Sequence, residues 1–245
     1  MRIHRVYCKS VSESDKKFSL DEAESHHLVK ALRLKEGSTI EVFDGKGKQA
    51  LCSIVELSSK KCKLERISEI EDQEIISRSL TALIPFIKKN NFNYMIQKLT
   101  EIGVNKLMVY KSDLSDQSIA KKDFEKIVSK ANEIIINVCK QCGNNFLPTL
   151  KNYLDLDNAI KHIHKDDDKY IFDTEATDYF TQDELDNHSS VTIITGPESG
   201  FSDREIKIVT NGDLKIRYLG RNILRSETAP IVVSSIIKNH FGRIQ

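Results

Sequence analysis

Charge of one sign is what this sequence most plainly lacks: 37 Lys and Arg stand against 36 Asp and Glu in 245 residues, a net +1. That balance makes no general case for a polyanion partner. No uninterrupted apolar run exceeds the four residues Leu107-Met108-Val109-Tyr110, against the roughly 20 that a membrane-spanning helix needs, so a helical membrane protein is excluded. No secretory leader is expected either. The basic start at Arg2 and Arg5 runs into polar residues where a leader has its apolar stretch, and the chain is expected to stay where it is made. Five cysteines (Cys8, Cys52, Cys62, Cys139, Cys142) are an odd, scattered set. They imply no disulfide framework and favour a reducing cytoplasm. Internal repeats and low-complexity linkers are absent, and with 39% hydrophobic and 30% charged residues neither a disordered tail nor a fibre fits.

What is present divides near residue 70. Residues 1–70 carry 14 basic and 11 acidic side chains, leaving the remainder slightly acidic. The stretch from Ser38 to Phe43 alternates, Asp44-Gly45-Lys46-Gly47 tolerates a tight turn, and Ala50 to Leu57 resumes the extended pattern, which predicts a β-hairpin. Asp21 to Leu34 has helical spacing with acids early and bases late. A small β-barrel with one helix is therefore expected over 1–70. Beyond residue 75, helical patterns at Asn91 to Ile102, stopped by Gly103, and at Asp123 to Cys139 alternate with apolar strands. Those strands are Ser79 to Ile84, Leu107 to Tyr110, Tyr170 to Phe172, Val191 to Ile194 and Leu214 to Ile216. Alternation of this kind predicts an α/β domain with a mainly parallel sheet over 75–245. The charged stretches Lys121-Lys122 and Lys165 to Lys169 read as solvated turns.

Two loops carry the chemical signal. In Thr195-Gly196-Pro197-Glu198-Ser199-Gly200 a strand enters a glycine-bounded loop, and Ser202 with Glu205 forms an S-x-x-E capping box for the next helix. Such a loop lets backbone amides approach an anion or carboxylate, although a plain tight turn explains it equally well. It is neither a P-loop nor a dinucleotide fingerprint. A second loop, Leu219-Gly220-Arg221-Asn222-Ile223-Leu224-Arg225-Ser226-Glu227-Thr228, again follows a strand and enters the apolar helix Ile231 to His240. Both loops would lie at the carboxyl ends of parallel strands, where open α/β sheets bind ligands. Arg225 and Glu227 sit together there, as a site or as an ordinary surface ion pair. The C-x-x-C of Cys139 and Cys142 falls late in a helix instead of opening one, which speaks against a redox motif. The seven histidines make no metal-binding pattern, and no metal is expected.

These residues carry a resemblance. The series His26 to Arg33, Phe43-Asp44-Gly45, Ile96-Gln97-Lys98 with Glu101 to Val104, Gln141-Cys142-Gly143, Gly196-Pro197-Glu198 with Gly200, and Leu219-Gly220 through Leu224 to Ala229 resembles the RsmE-type ribosomal RNA uridine-N3 methyltransferases of the SPOUT superfamily. The resemblance implies an N-terminal PUA-like RNA-binding barrel (1–70), a C-terminal trefoil-knotted α/β domain (75–245), S-adenosylmethionine as cofactor, and a homodimer acting on 16S ribosomal RNA of the small subunit. It assigns the cofactor to Gly196, Glu198, Gly200, Leu219, Gly220, Ile223, Leu224 and Thr228. Methylating uracil N3 requires loss of its proton and stabilisation of the charge left on the ring oxygens, so Arg225 and Glu227 are expected as the catalytic pair, Arg225 donating to the developing oxyanion and Glu227 or Glu198 orienting it or taking the proton. RNA contacts are expected from Arg2, Arg5, His26, Arg33 and Lys35. The chain departs from the family pattern at Ser199, which replaces a glycine, and at Lys140 and Asn144 around Gln141-Cys142-Gly143. The rival readings are a non-catalytic RNA-binding or ribosome-assembly factor on the same fold, and an enzyme for another nucleotide. Intact Arg225, Glu227, Gly196 and Gly220 favour the methyltransferase.

Overall fold

The computed structural model describes residues 3–74, 77–115, 124–185 and 188–242. Lys121-Lys122, Asp123 and Arg2 lie outside the described residues. Two compact units form, and they are not contiguous in sequence: residues 1–75 pack with 136–147, and 76–135 pack with 148–245. The division at 70–75 expected from the sequence thus acquires an exchange, with 136–147 clustering in the first unit.

In the first unit, strands β1 (Arg5–Tyr7), β2 (Lys17–Ser19), β3 (Thr39–Phe43), β4 (Lys48–Glu56), β5 (Lys63–Arg66) and β6 (Glu71–Asp72) form one sheet ordered β1-β3-β4-β5-β2, with β6 beside β4. Only β1 and β3 run parallel. The β3–β4 hairpin closes where the Asp44 carboxylate accepts the amides of Lys46 (2.7 Å) and Lys48 (3.0 Å). Alternate residues Ile40, Val42, Cys52, Ile54 and Leu64 are buried and build the core with Val6 and Leu28. Helix α1 (Glu22–His26) starts where Asp21 accepts the Glu24 amide at 2.8 Å. It widens into a π turn over His27–Ala31 and ends there, with Arg33 in the left-handed region at φ 51°. The helix expected to reach Leu34 is therefore shorter, because the left-handed residue ends it.

The second unit holds β7 (Leu80–Pro85), α2 (Lys89–Ile102), β8 (Lys106–Tyr110), β9 (Thr149–Tyr153), α4 (Leu156–Ile160), β10 (Asp168–Phe172), β11 (Val191–Thr195), α5 (Asp203–Thr210), β12 (Lys215–Arg217) and α6 (Thr228–His240). Helix α3 (Phe124–Cys142) begins in this unit and ends in the first. The six strands are all parallel, in the order β12-β10-β11-β7-β8-β9. Every residue of β7 and β11 is buried, as expected of central strands covered on both faces. One face carries Leu83, Met108, Ile171 and Ile194 against Leu156 and Ala159 of α4 and Val209 of α5. Helix α6 crosses β7 and β11 and packs on α2, which stops at Gly103 with φ 84°. The charged turn before β10 is not wholly solvated: Asp167 accepts the Thr192 hydroxyl at 2.7 Å. No helix among the described residues is long and apolar enough to cross a membrane.

Candidate active site

Parallel strands deliver their carboxyl ends to one edge of the sheet, and four of them meet at a cleft of about 980 Å³. Its walls are residues 172–175 after β10, 195–201 after β11 and 218–227 after β12, together with Lys88 and Asn91 after β7. From β7 the chain adds β8 and β9 on one side, while β11, β10 and β12 lie on the other. The site thus occupies the switch point of the sheet, and its volume suits a ligand of nucleoside size.

The first loop begins at Thr195, whose carbonyl accepts the Tyr110 hydroxyl at 3.0 Å and whose buried Oγ1 has no partner among the described residues. A side chain at Gly196 would press on the Phe201 ring at 3.0 Å, so glycine is what lets the chain pass. The loop ends in the anticipated capping box: Ser202 Oγ accepts the Glu205 amide (3.1 Å) and Glu205 Oε2 accepts the Ser202 amide (2.9 Å). In the second loop Gly220 has φ 139°, a conformation essentially reserved for glycine, and faces open space bounded by Tyr179 at 4.0 Å. The Arg225 carbonyl accepts the amides of Thr228 (2.8 Å) and Ala229 (3.0 Å) and so launches α6.

The two charged residues of this loop are opposites in exposure. The Arg225 side chain is 82% exposed, with one ion pair to Glu227 Oε1 at a loose 3.9 Å. The Glu227 side chain is 10% exposed, and its Oε2, like Ser226 Oγ, is buried without a partner among the described residues. A reachable cation beside a dry, unsatisfied carboxylate is equipment for moving a proton and stabilising an anion. Glu198 stands 3.7 Å from Lys88 at the rim.

Gly196, Glu198, Gly200, Leu219, Gly220, Ile223, Leu224, Arg225 and Glu227 all line the cleft. Ile223 does so at the open mouth, 80% exposed. Thr228 does not line it: it is the first residue of α6, and its amide is bonded to Arg225. Thr195 and Ser226 were not among the residues expected from the sequence, while Tyr170 to Glu175 was expected as a third strand at the cofactor edge without assignment of single residues, and Phe172 to Glu175 line the cleft. The short apolar run Tyr170-Ile171-Phe172 was the available signal for that strand. Among the described residues no cluster of His, Cys, Asp and Glu could hold a metal ion.

The RNA methyltransferase domain family matches this chain over residues 74–238, and the RNA methyltransferase PUA domain matches residues 20–65. The chain belongs to this RNA methyltransferase family. The Ribosomal RNA small subunit methyltransferase E of Buchnera aphidicola from Schizaphis graminum is 30% identical over 98% of both chains. The protein of the same name from Bacillus subtilis is 25% identical over 90% of this chain and 89% of its own. The fold is shared with a Legionella pneumophila protein solved in complex with the cofactor SAM (24% identity, 98% of both chains, TM-score 0.87). It is shared as well with the Neisseria gonorrhoeae Ribosomal RNA small subunit methyltransferase E bound to S-adenosyl methionine (20% identity, 97% and 98% covered, TM-score 0.87).

In the unit that bears the PUA match of this RNA methyltransferase, His26, Arg33 and Lys35, from which RNA contacts were expected, are exposed. Arg5 is not, and its assignment is corrected. Its side chain is 9% exposed, pairs with Glu41, donates to the Cys139 carbonyl (2.9 Å) and to Asn145, and lies over the Phe43 ring. All three of its nitrogens are engaged inside the unit, and at 9% exposure the side chain is turned away from any phosphate. Cys139 is buried and Cys142 exposed, both as free thiols. The neighbouring Cys139 thiol favours the thiolate of Cys142 and holds its pKa below the usual thiol value.

Proposed function

We propose that this RNA methyltransferase transfers the methyl group of S-adenosylmethionine to N3 of a uridine in 16S ribosomal RNA of the small subunit, in the cytoplasm and as a homodimer. The ribosomal RNA substrate is supported by the names of the curated relatives, and the cofactor by the two ligand-bound structures of this fold. The cleft fits such a cofactor. It offers unpartnered polar atoms on Thr195, Ser226 and Glu227 and unfilled space beside Gly200 and Gly220. The loops at Gly196–Gly200 and Leu219–Leu224 would hold it through backbone groups. When bound, it supplies an electrophilic methyl group.

The pairing of exposed Arg225 with buried Glu227 carries the reading. A neutral uracil N3 holds a proton and no reactive electron pair, so the proton must go first. The Glu227 carboxylate accepts it, helped by an oxygen that none of the described residues satisfies. Arg225 donates to a ring oxygen as negative charge gathers there. Apolar Ile231, Val232 and Ile236, half-buried along α6, supply a face for a second copy of the chain. The test is incubation of small subunits from cells lacking this protein with the enzyme and S-adenosylmethionine, followed by mass spectrometry of the RNA nucleosides. Appearance of 3-methyluridine is expected; no methylation, or methylation of another base, would overturn the proposal.

A further inference from the structure

The loop Gly196–Gly200 is held from behind by residues that never reach the cleft. Just after β8, the Asp113 amide donates to Glu205 Oε1 (3.1 Å) and Ser112 Oγ donates to Glu205 Oε2 (3.2 Å). The Asp113 carboxylate in turn accepts the Ser202 hydroxyl (2.7 Å) and both Nε and Nη2 of Arg204 (2.9 and 2.7 Å). At the middle of the loop, Ser199 Oγ donates to the Leu114 carbonyl at 2.9 Å. Glu205 is fully buried. A capping box needs from it only the bond to Ser202, so the bonds to Ser112 and Asp113 serve something other than starting α5. A buried carboxylate with all its neighbours arranged around it pays in desolvation for a fixed geometry. Neither Asp113 nor Leu114 lines the cleft.

We propose that Asp113 is a positioning residue for cofactor binding, latching the Gly196–Gly200 loop through Ser202, Arg204 and Glu205, with Ser199 as a second tie to Leu114. The proposal rests on the reading of that cleft as the S-adenosylmethionine site. Ser199, which stands where the family pattern has glycine, thereby replaces backbone freedom with a side-chain tether. The Arg204 guanidinium holds the Asp113 carboxyl below its usual range, so the latch stays ionised at neutral pH.

Asp113→Asn, Asp113→Glu, Ser199→Ala and Ser199→Thr separate the latch from general stability. Calorimetric titration with S-adenosylmethionine alone should show binding weakened about tenfold in Asp113→Asn and a few-fold in Ser199→Ala, with Asp113→Glu and Ser199→Thr restoring most of it. KM for the cofactor should rise in step while kcat at saturation changes less than about twofold. Amide hydrogen exchange over 196–201 in the free protein should quicken in Asp113→Asn. A lower Tm with unchanged cofactor affinity, or unchanged exchange in the loop, would overturn the latch. A wild-type chain that binds no S-adenosylmethionine would instead overturn the cofactor reading, and the exchange rates would still decide whether the loop is latched.

Discussion

At the scale of single residues, the guanidinium of Arg225 is free to meet a substrate, while the carboxylate of Glu227 is held dry beneath it. Arg225→Ala should therefore cost about a hundredfold or more in kcat, by analogy with removal of one oxyanion donor, while leaving S-adenosylmethionine affinity within a few fold. Loss of cofactor binding with the fold intact would place Arg225 among the cofactor contacts instead. Gly220→Val should act the other way. A branched side chain at φ 139° is strained and enters the cleft, so titration should show cofactor affinity falling well before RNA binding changes. Arg225, Glu227 and the glycines were legible in the sequence because local order, strand then glycine loop then helix, brought them together. Thr195 and Ser226 were not, since an unsatisfied buried oxygen is a property of the surroundings alone. Arg5 was misread for a related reason: Glu41 and Asn145, which absorb its charge and its donors, lie 36 and 140 residues away.

Among the elements, those with explicit punctuation were foreseen. Ser202 and Glu205 start α5, Gly103 stops α2, and Asp44 to Gly47 turns the β3–β4 hairpin. Strand β9 carries no such signal: Thr149-Leu150-Lys151-Asn152-Tyr153 is largely polar because it is an edge strand with little to bury. Helix α6 hides a different irregularity. It buries Lys238 against α2, with Asn105 Oδ1 at 3.5 Å, and that oxygen already accepts the Leu80 amide. Burial lowers the Lys238 pKa below its usual 10.5. The unfolded chain therefore binds this proton more tightly, and stability rises with pH between the folded value and 10.5. Lys238→Met should stabilise the fold by about 1 kcal/mol at neutral pH. Denaturant melts should show that gain shrinking as pH climbs toward 10.5; a pH-independent gain, or a loss at pH 7, would contradict it.

For the whole molecule, the break near residue 70 was readable as a change of period from strands to alternating helices and strands. The membership of 136–147 in the first unit was not, because contacts such as Lys140 with Glu24 (2.8 Å) join distant parts of the chain. If α6 seats a second copy, light scattering at micromolar concentration should return twice the 28.0 kDa chain mass; a monomer would refute the homodimer. If the PUA unit positions RNA, reversing Arg33 and Lys35 to Glu should weaken binding and reduce the slope of log affinity on log salt by about one per lost phosphate contact. Cofactor titration should be unaffected by that reversal.

The register of β11 on β7, with Val191 beside Leu80 and Ile194 beside Leu83, also sets a timetable. During synthesis this wholly buried strand emerges more than 100 residues before the partner that covers its open edge. Until then β7 has a neighbour only in β8, and an uncovered edge invites pairing with other chains. The cleft, whose walls come mostly from residues after 170, is thus among the last parts of the protein to exist, and a ribosome that stalls between 110 and 190 leaves behind a chain primed to aggregate and unable to bind its cofactor.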